Sequence, residues 1–166
     1  FAPNWRGTYN NDEAKLWGGS IEGKAAITDW FSARANITYQ KSKKEGDLFD
    51  QAKLTDELDY LPEWKGNLGL EFKLPYHAVF TTNLRYVGKQ QTLYAYSVGW
   101  GWPPDAKFKL MRLDPFITAD VELKVPVTKY GEVGIYAENI FNKKYEERFG
   151  YPMLGRIIGV SLKAMF

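Results

Sequence analysis

The 166-residue sequence contains no cysteine, which excludes a disulfide scaffold, a thiolate zinc site and a cysteine nucleophile. Histidine is nearly absent: His77 stands alone, at a short turn, with no Ser or second His spaced to build a triad or a metal site around it. No enzymatic activity, metal or cofactor is therefore expected. An excess of one charge is also missing. Lys and Arg number 22 against 20 Asp and Glu, and a net charge of +2 gives no electrostatic case for a nucleic-acid partner. Long hydrophobic runs are absent too, since no stretch approaches the roughly 18 to 20 uncharged apolar residues of a transmembrane helix. The chain starts at Phe1 without an initiator methionine or a signal-peptide pattern, so residues preceding it are expected.

What is abundant is aromatic: six Trp, eleven Tyr and ten Phe, a share that asks for a structural reason. Helical periodicity is poor, whereas a period of two recurs along the chain. Trp17, Gly19, Ile21, Gly23, Ala25 and Ile27 are apolar or small, with Ser20, Glu22 and Lys24 between them. Phe31, Ala33, Ala35, Ile37 and Tyr39 alternate completely with Ser32, Arg34, Asn36, Thr38 and Gln40. Trp64, Leu68, Leu70, Phe72 and Leu74 oppose Lys65, Asn67, Glu71 and Lys73; Ala78, Phe80, Leu84 and Tyr86 oppose Thr81, Asn83 and Arg85. A fifth run sets Leu113, Ile117, Ala119, Val121, Leu123 and Val125 against Asp114, Thr118, Asp120, Glu122 and Lys124. The sixth, about residues 132–140, is weaker, and the seventh places Ile158, Val160, Leu162, Ala164 and Phe166 on one face. The fold class is all-β, with about seven long antiparallel strands.

Each run covers about 9 to 13 residues, longer than the mode of about 5 to 6 in soluble sheets and close to what crosses a bilayer at a tilt. The connections alternate between short (28–30, 75–76, 126–131) and long (41–63, 87–112, 141–155), as short periplasmic turns and long outer loops do in an outer-membrane barrel. Trp30, Phe31, Tyr76, Tyr130 and Phe166 fall at the short-turn ends; Trp17, Tyr39, Trp64 and Tyr86 fall at the long-loop ends. They make two girdles at the membrane interfaces. Between the girdles the apolar face carries no charge, while the other face carries Glu22, Lys24, Arg34, Glu71, Lys73, Arg85, Asp120, Glu122 and Lys124. Arg or Lys at the lipid midplane costs about 2 to 4 kcal/mol, so the charged face belongs to a wet or plugged interior. A soluble β-sandwich or small calycin-like barrel alternates in the same way, but gives no reason for two aromatic belts or the loop rhythm.

An open seven-stranded sheet would leave two unpaired edges in lipid, each unsatisfied backbone group costing several kcal/mol. Counting Trp5 to Asn10 as an eighth strand would close a small barrel, a structural or adhesive one without transport, but that piece is too short to span. The expectation is a segment of a larger barrel.

The run Glu138-Asn139-Ile140-Phe141-Asn142-Lys143-Lys144-Tyr145, then Gly150-Tyr151-Pro152-Met153-Leu154-Gly155-Arg156, then a last strand ending at Phe166, closely resembles the C-terminal signature of TonB-dependent outer-membrane receptors. Tyr9-Asn10 to Gly19, followed by Ser20-Ile21-Glu22, resembles in degenerate form that family's hairpin entering a strand. The resemblance implies that residues 1–166 are the C-terminal portion of a barrel of about 22 strands. It also implies that the plug domain and the N-terminal strands lie elsewhere. It further implies a gated importer in the outer membrane of a Gram-negative bacterium, taking up a scarce small-molecule ligand such as an iron-siderophore or cobalamin. The implied partners are outer-membrane lipid and lipopolysaccharide, the plug, the TonB complex through that absent N-terminal part, and, through Phe166, the membrane-insertion machinery. Within the motif, Asn139, Phe141, Tyr145, Gly150, Gly155, Arg156 and Phe166 read as assembly and sheet-closure residues, with Arg156 able to pair with a carboxylate such as Glu138.

For ligand capture the candidates are Tyr94, Tyr96, Trp100 and Trp102, rings on the long connection 87–112 that suit stacking against a siderophore or corrin. The same rings could equally extend the outer girdle. The segment 41–57, with four Lys and five acidic residues, reads as a solvated or lipopolysaccharide-facing surface. Asp120 and Glu122, two residues apart on the charged face, read as contacts to a plug.

Overall fold

The computed structural model describes residues 13–45, 54–97 and 106–164. Seven strands form one antiparallel sheet: β1 (Glu13–Ala26), β2 (Phe31–Glu45), β3 (Trp64–Lys73), β4 (Val79–Val87), β7 (Phe116–Thr128), β8 (Gly131–Glu138) and β11 (Ile157–Ala164), each hydrogen-bonded to the next in that order. Between β4 and β7 rises a separate hairpin, β5 (Gln90–Ser97) with β6 (Ala106–Leu113), and the β8–β11 connection carries the small pair β9 (Glu146–Arg148) and β10 (Tyr151–Pro152). The chain is a meander, so each strand's neighbours follow from the chain order alone.

The register keeps like with like. Gly23, Ala35, Leu68, Leu84 and Ala119 stand in one line across five strands. One residue away, pointing to the other face, Lys24, Arg34, Gly69, Asn83 and Asp120 stand in the next. A slip of one residue on any strand would carry a charge to the apolar face, which fixes the pairing strongly. That apolar face is open: Ile21 is 76% exposed, Ile158 70% and Leu162 79%. A sandwich would cover it, so the sheet is of the kind that meets lipid.

Aromatic rings end the apolar band on both sides. At the short-turn end Phe31 stacks on Phe72 with centroids 4.8 Å apart, Trp30 lies 6.4 Å from Phe72, and Phe80 lies 6.1 Å from Phe72. Phe72 and Phe80 thus join a belt expected from Trp30 and Phe31. At the other end Tyr39 meets Trp64 at 4.7 Å. From Phe31 to Tyr39 is roughly 26 Å along the strand at about 3.3 Å per residue, enough for a tilted crossing of the apolar core. On the charged face Arg34 donates to Asn83 Oδ1 at 3.1 Å, Asn67 donates to Asn36 Oδ1 at 3.2 Å, and Lys124 pairs with Glu122 at 2.9 Å.

The short connections are tight. In the turn after β3, Ala78 N–H donates to the Pro75 carbonyl, with Tyr76 and His77 both left-handed at φ 60° and 58°. A two-residue hairpin turn of this hand needs positive φ at both central positions.

Two expectations need correction. Among the described residues of the connection 87–112, Gln90–Ser97 and Ala106–Leu113 are strands that continue the β4–β7 ladder beyond a break: Val87 pairs with Phe116 and Gln90 with Leu113. Gly88 sits at the break on one strand, its N–H on the Trp64 carbonyl at 2.8 Å, where a Cβ would approach that oxygen to 2.9 Å. Pro115 sits opposite and has no N–H for the ladder. Leu113, expected on the open apolar face, therefore ends β6 and is buried. The connection 41–63 is likewise shorter than expected, since β2 runs on to Glu45.

Candidate functional site

The three long connections meet at one end of the sheet. Residues 54–63 are tied to the first arm of the β5–β6 hairpin: Gln91 Nε2 donates to Thr55 Oγ1 and to Glu57 Oε2 at 2.7 Å, Tyr60 N–H to the Gln91 carbonyl at 2.8 Å, and Leu93 N–H to Asp59 Oδ1 at 3.3 Å. The β8–β11 connection reaches over to both. Phe149 packs against Tyr94 with centroids 5.6 Å apart, and the Arg148 guanidinium lies 5.9 Å from the Tyr60 ring centre. The result is one plate built from three connections that lie far apart in sequence.

The β8–β11 connection is held to the sheet at its base and along its length. Asn139, 5% exposed and left-handed at φ 48°, forms the base. Its N–H donates to Asp120 Oδ1 at 2.8 Å, its side-chain amide to the Lys143 carbonyl at 2.9 Å, and its Oδ1 accepts from Lys143 N–H at 2.9 Å. Asn is among the few residues that take this conformation readily. Asn142, also left-handed, accepts from Arg156 N–H at 3.0 Å, closing the other side of the loop. Farther out Tyr145 stacks on Phe116 at 4.1 Å, and Arg85 bridges Glu147 at 2.6 Å while lying 5.5 Å from the centre of the Phe116 ring. Burial against that ring pushes the Tyr145 phenol up from its ordinary value, with the Glu147 carboxylate adding to the shift.

The residues singled out from the sequence are placed as follows. Tyr94 and Tyr96 stand on one face of β5, 49% and 40% exposed, so rings expected on a flexible loop lie on a strand. Trp100, Trp102 and Phe166 lie outside the described residues. Asn139 and Tyr145 are joined to the wall as above, Phe141 is 63% exposed, and Gly150 is left-handed at φ 78°. Gly155 lets Asn142 approach, since a Cβ there would meet Asn142 Oδ1 at 2.5 Å. Arg156 departs from expectation: its guanidinium reaches the Ile140 carbonyl at 3.5 Å and does not pair with Glu138. Glu138 is the register partner of Ile157, so Arg156 stands beyond the ladder, level with the loop base. Tyr60, Arg85, Glu147, Arg148 and Phe149 were not singled out for this plate. No periodicity marks them, because their partners come from other connections.

On the charged face a shallow depression of about 340 Å³ is lined by Asn83, Asp120, Glu122, Tyr136, Glu138 and Ser161 among others. Asp120 already accepts from Asn139, and Glu122 is paired with Lys124. Among the described residues no three His, Cys, Asp or Glu side chains are placed to hold a metal ion.

Comparison with known proteins decides the family. The model of the TonB dependent receptor-like β-barrel family matches residues 2–140. The chain belongs to this family. A comparison with curated proteins finds no match. Solved TonB-dependent receptors share the fold: the pyoverdine outer membrane receptor FpvA of Pseudomonas aeruginosa superposes with a TM-score of 0.73 at 14% identity, over 92% of this chain and 22% of that one. The ferric-catecholate import receptor Fiu of E. coli gives 0.69 at 19% identity, over 92% and 21%. The ferric yersiniabactin uptake receptor FyuA of Yersinia pestis gives 0.69 at 16%, over 92% and 24%. The chain thus spans between a fifth and a quarter of the length of these receptors. TonB-dependent receptors are outer-membrane proteins of Gram-negative bacteria and act in transport.

Proposed function

We propose that residues 1–166 form the C-terminal part of the barrel wall, with outer ligand-binding loops, of a receptor importing a scarce nutrient such as an iron-siderophore or cobalamin. The observation that carries this reading is the asymmetry of the two ends. One end has tight turns, and the other gathers three connections into a plate bearing exposed Tyr94 and Tyr96 beside Arg148, a surface suited to stacking and charge pairing with a planar or anionic ligand. Fiu is an import receptor for ferric catecholate and FyuA an uptake receptor for ferric yersiniabactin, which favours an iron-siderophore.

The two edge strands support the place in a larger wall. β1 and β11 are first and last of seven alternating strands and so run in the same direction, which requires an odd number of further strands to close an antiparallel barrel. In that wall the charged face meets the plug, the plug's chain reaches the TonB complex, and Phe166 serves the insertion machinery.

The test is uptake of radiolabelled ferric siderophores and of cobalamin by cells lacking the full receptor, complemented with the wild type or with Tyr94→Ala/Tyr96→Ala. Loss of uptake of one ligand on deletion, and reduced uptake by the double variant at unchanged surface levels, is expected. Unchanged uptake of every ligand on deletion would sink the importer reading.

A further inference from the structure

The plate is not joined uniformly. Residues 54–63 and β5 share main-chain and side-chain hydrogen bonds through Thr55, Glu57, Asp59 and Tyr60. The tip of the β8–β11 connection, the β9–β10 pair, meets them differently. Among the described residues no hydrogen bond ties this tip to either of the other two connections, and it touches them through Phe149 on Tyr94 and Arg148 on Tyr60. The tip's own bonds are internal: Gly150 N–H donates to Glu146 Oε2 at 2.9 Å, and Met153 N–H to the Tyr145 carbonyl at 3.0 Å. It therefore holds together as one piece, separate from the surfaces it covers.

Its attachment to the wall weakens from base to tip. Asn139 at the base is buried and bonded to Asp120 and Lys143. At the tip the ion pair is Arg85–Glu147, with side chains 45% and 37% exposed. Loss of so exposed a pair shifts an equilibrium by no more than about five-fold. A firm base and a weak latch are the anatomy of a strap.

The strap also fills the contacts a ligand would need. The Phe149 ring is tilted 60° to Tyr94, within the range of a favourable aromatic pair, and a planar group cannot lie flat on that side of Tyr94 while Phe149 is there. The Arg148 guanidinium is engaged in the same way at the Tyr60 ring. Lys109, the register partner of Tyr94, stays exposed beside it.

We propose that the β9–β10 tip is a self-occupying gate: Phe149 and Arg148 hold the ring surfaces of Tyr94 and Tyr60 until a ligand displaces them, and the Arg85–Glu147 latch sets how readily they let go. Phe149 is then a competitor of the ligand and not a contact for it. The apparent affinity is the intrinsic one reduced by the fraction of receptors whose strap is open, so loosening the strap tightens binding. The gate rests on the reading of Tyr94 and Tyr96 as ligand-stacking rings.

The test measures equilibrium binding on ice to cells that carry the full receptor as wild type or variant, at matched surface levels. The probes are the radiolabelled iron(III) complexes of a tris-catecholate and of a tris-hydroxamate, and radiolabelled cyanocobalamin. For the probe that the wild type binds, Phe149→Ala should raise the affinity about two- to ten-fold. Glu147→Gln and Arg85→Gln should each raise it about two- to five-fold, and the two together no more than either alone, because they break one latch. Tyr94→Ala/Tyr96→Ala should lower it. If Phe149→Ala fails to reach the surface, Glu147→Gln decides by the same criterion. Unchanged or lowered affinity in Phe149→Ala or Glu147→Gln, while Tyr94→Ala/Tyr96→Ala still lowers it, would overturn the gate alone. Wild-type binding of none of the probes, or unchanged binding by Tyr94→Ala/Tyr96→Ala, would overturn the ligand reading of the plate and the gate with it.

Discussion

The ring of Tyr136 on β8 lies across Gly159 on β11, occupying the space a Cβ would take. The two are direct register partners on the charged face, so the ring covers backbone that glycine leaves bare. Gly159→Val should displace the ring and cost about 1 to 3 kcal/mol, as overpacking does. The urea midpoint of the receptor in micelles measures this, and Tyr136→Ala in the same chain should recover part of the loss.

Leu68 and Asn67 are adjacent on β3 and face opposite ways, with Leu68 midway between Trp64 and Phe72. Leu68→Arg should lose about 2 to 4 kcal/mol of stability in a bilayer, whereas Asn67→Arg should cost under about 1 kcal/mol. Heat-modifiable migration of the two variants gives the comparison. Equal losses would mean that the apolar face does not meet lipid.

The Arg85–Glu147 bridge fastens the β8–β11 connection, but both side chains are more than a third exposed. Such a pair contributes at most about 1 kcal/mol. Glu147→Gln should therefore leave the barrel's unfolding unchanged while trypsin cleavage at Arg148 speeds up by up to about five-fold.

Tyr145 provides a pH signature. Its phenol is raised in the folded state, chiefly by burial. A neutral Tyr145 is then favoured by the fold, and stability falls as pH rises from the ordinary value of about 10 towards the raised one. Hydrogen exchange or proteolysis of residues 143–154 should show the connection loosening in that alkaline window. Tyr145→Phe should abolish this dependence, because Phe cannot ionise.

His77 occupies a left-handed position that glycine takes without cost. His77→Gly should stabilise the β3–β4 turn by about 1 kcal/mol, seen as a higher unfolding midpoint.

The sheet was legible because lipid on one side and water on the other impose a strict period of two. Residues 31–40 alternate without exception, and β2 pairs on both sides in the register that alternation demands. The β5–β6 hairpin lacked that signal: clear of the membrane, Gln90, Thr92, Tyr94 and Tyr96 need not oppose an apolar set, so a ladder read as a loop. At the site, Asn139 was visible as part of a motif, but its bonds to Asp120 and Lys143 depend on a left-handed backbone that composition does not report. Tyr60 and Arg148 meet across 88 residues of chain, a distance over which no local pattern speaks.

The break at Gly88 and Pro115 separates the pairing of the wall from that of the hairpin. Because Val87 and Phe116 settle the pairing below the break, the hairpin above can gain or lose residues without disturbing the wall. Changes of two on each arm would preserve the side on which Tyr94 and Tyr96 stand, while changes of one would invert it. The reach of the hairpin can therefore be changed, but only in even steps if its aromatic side is to be kept.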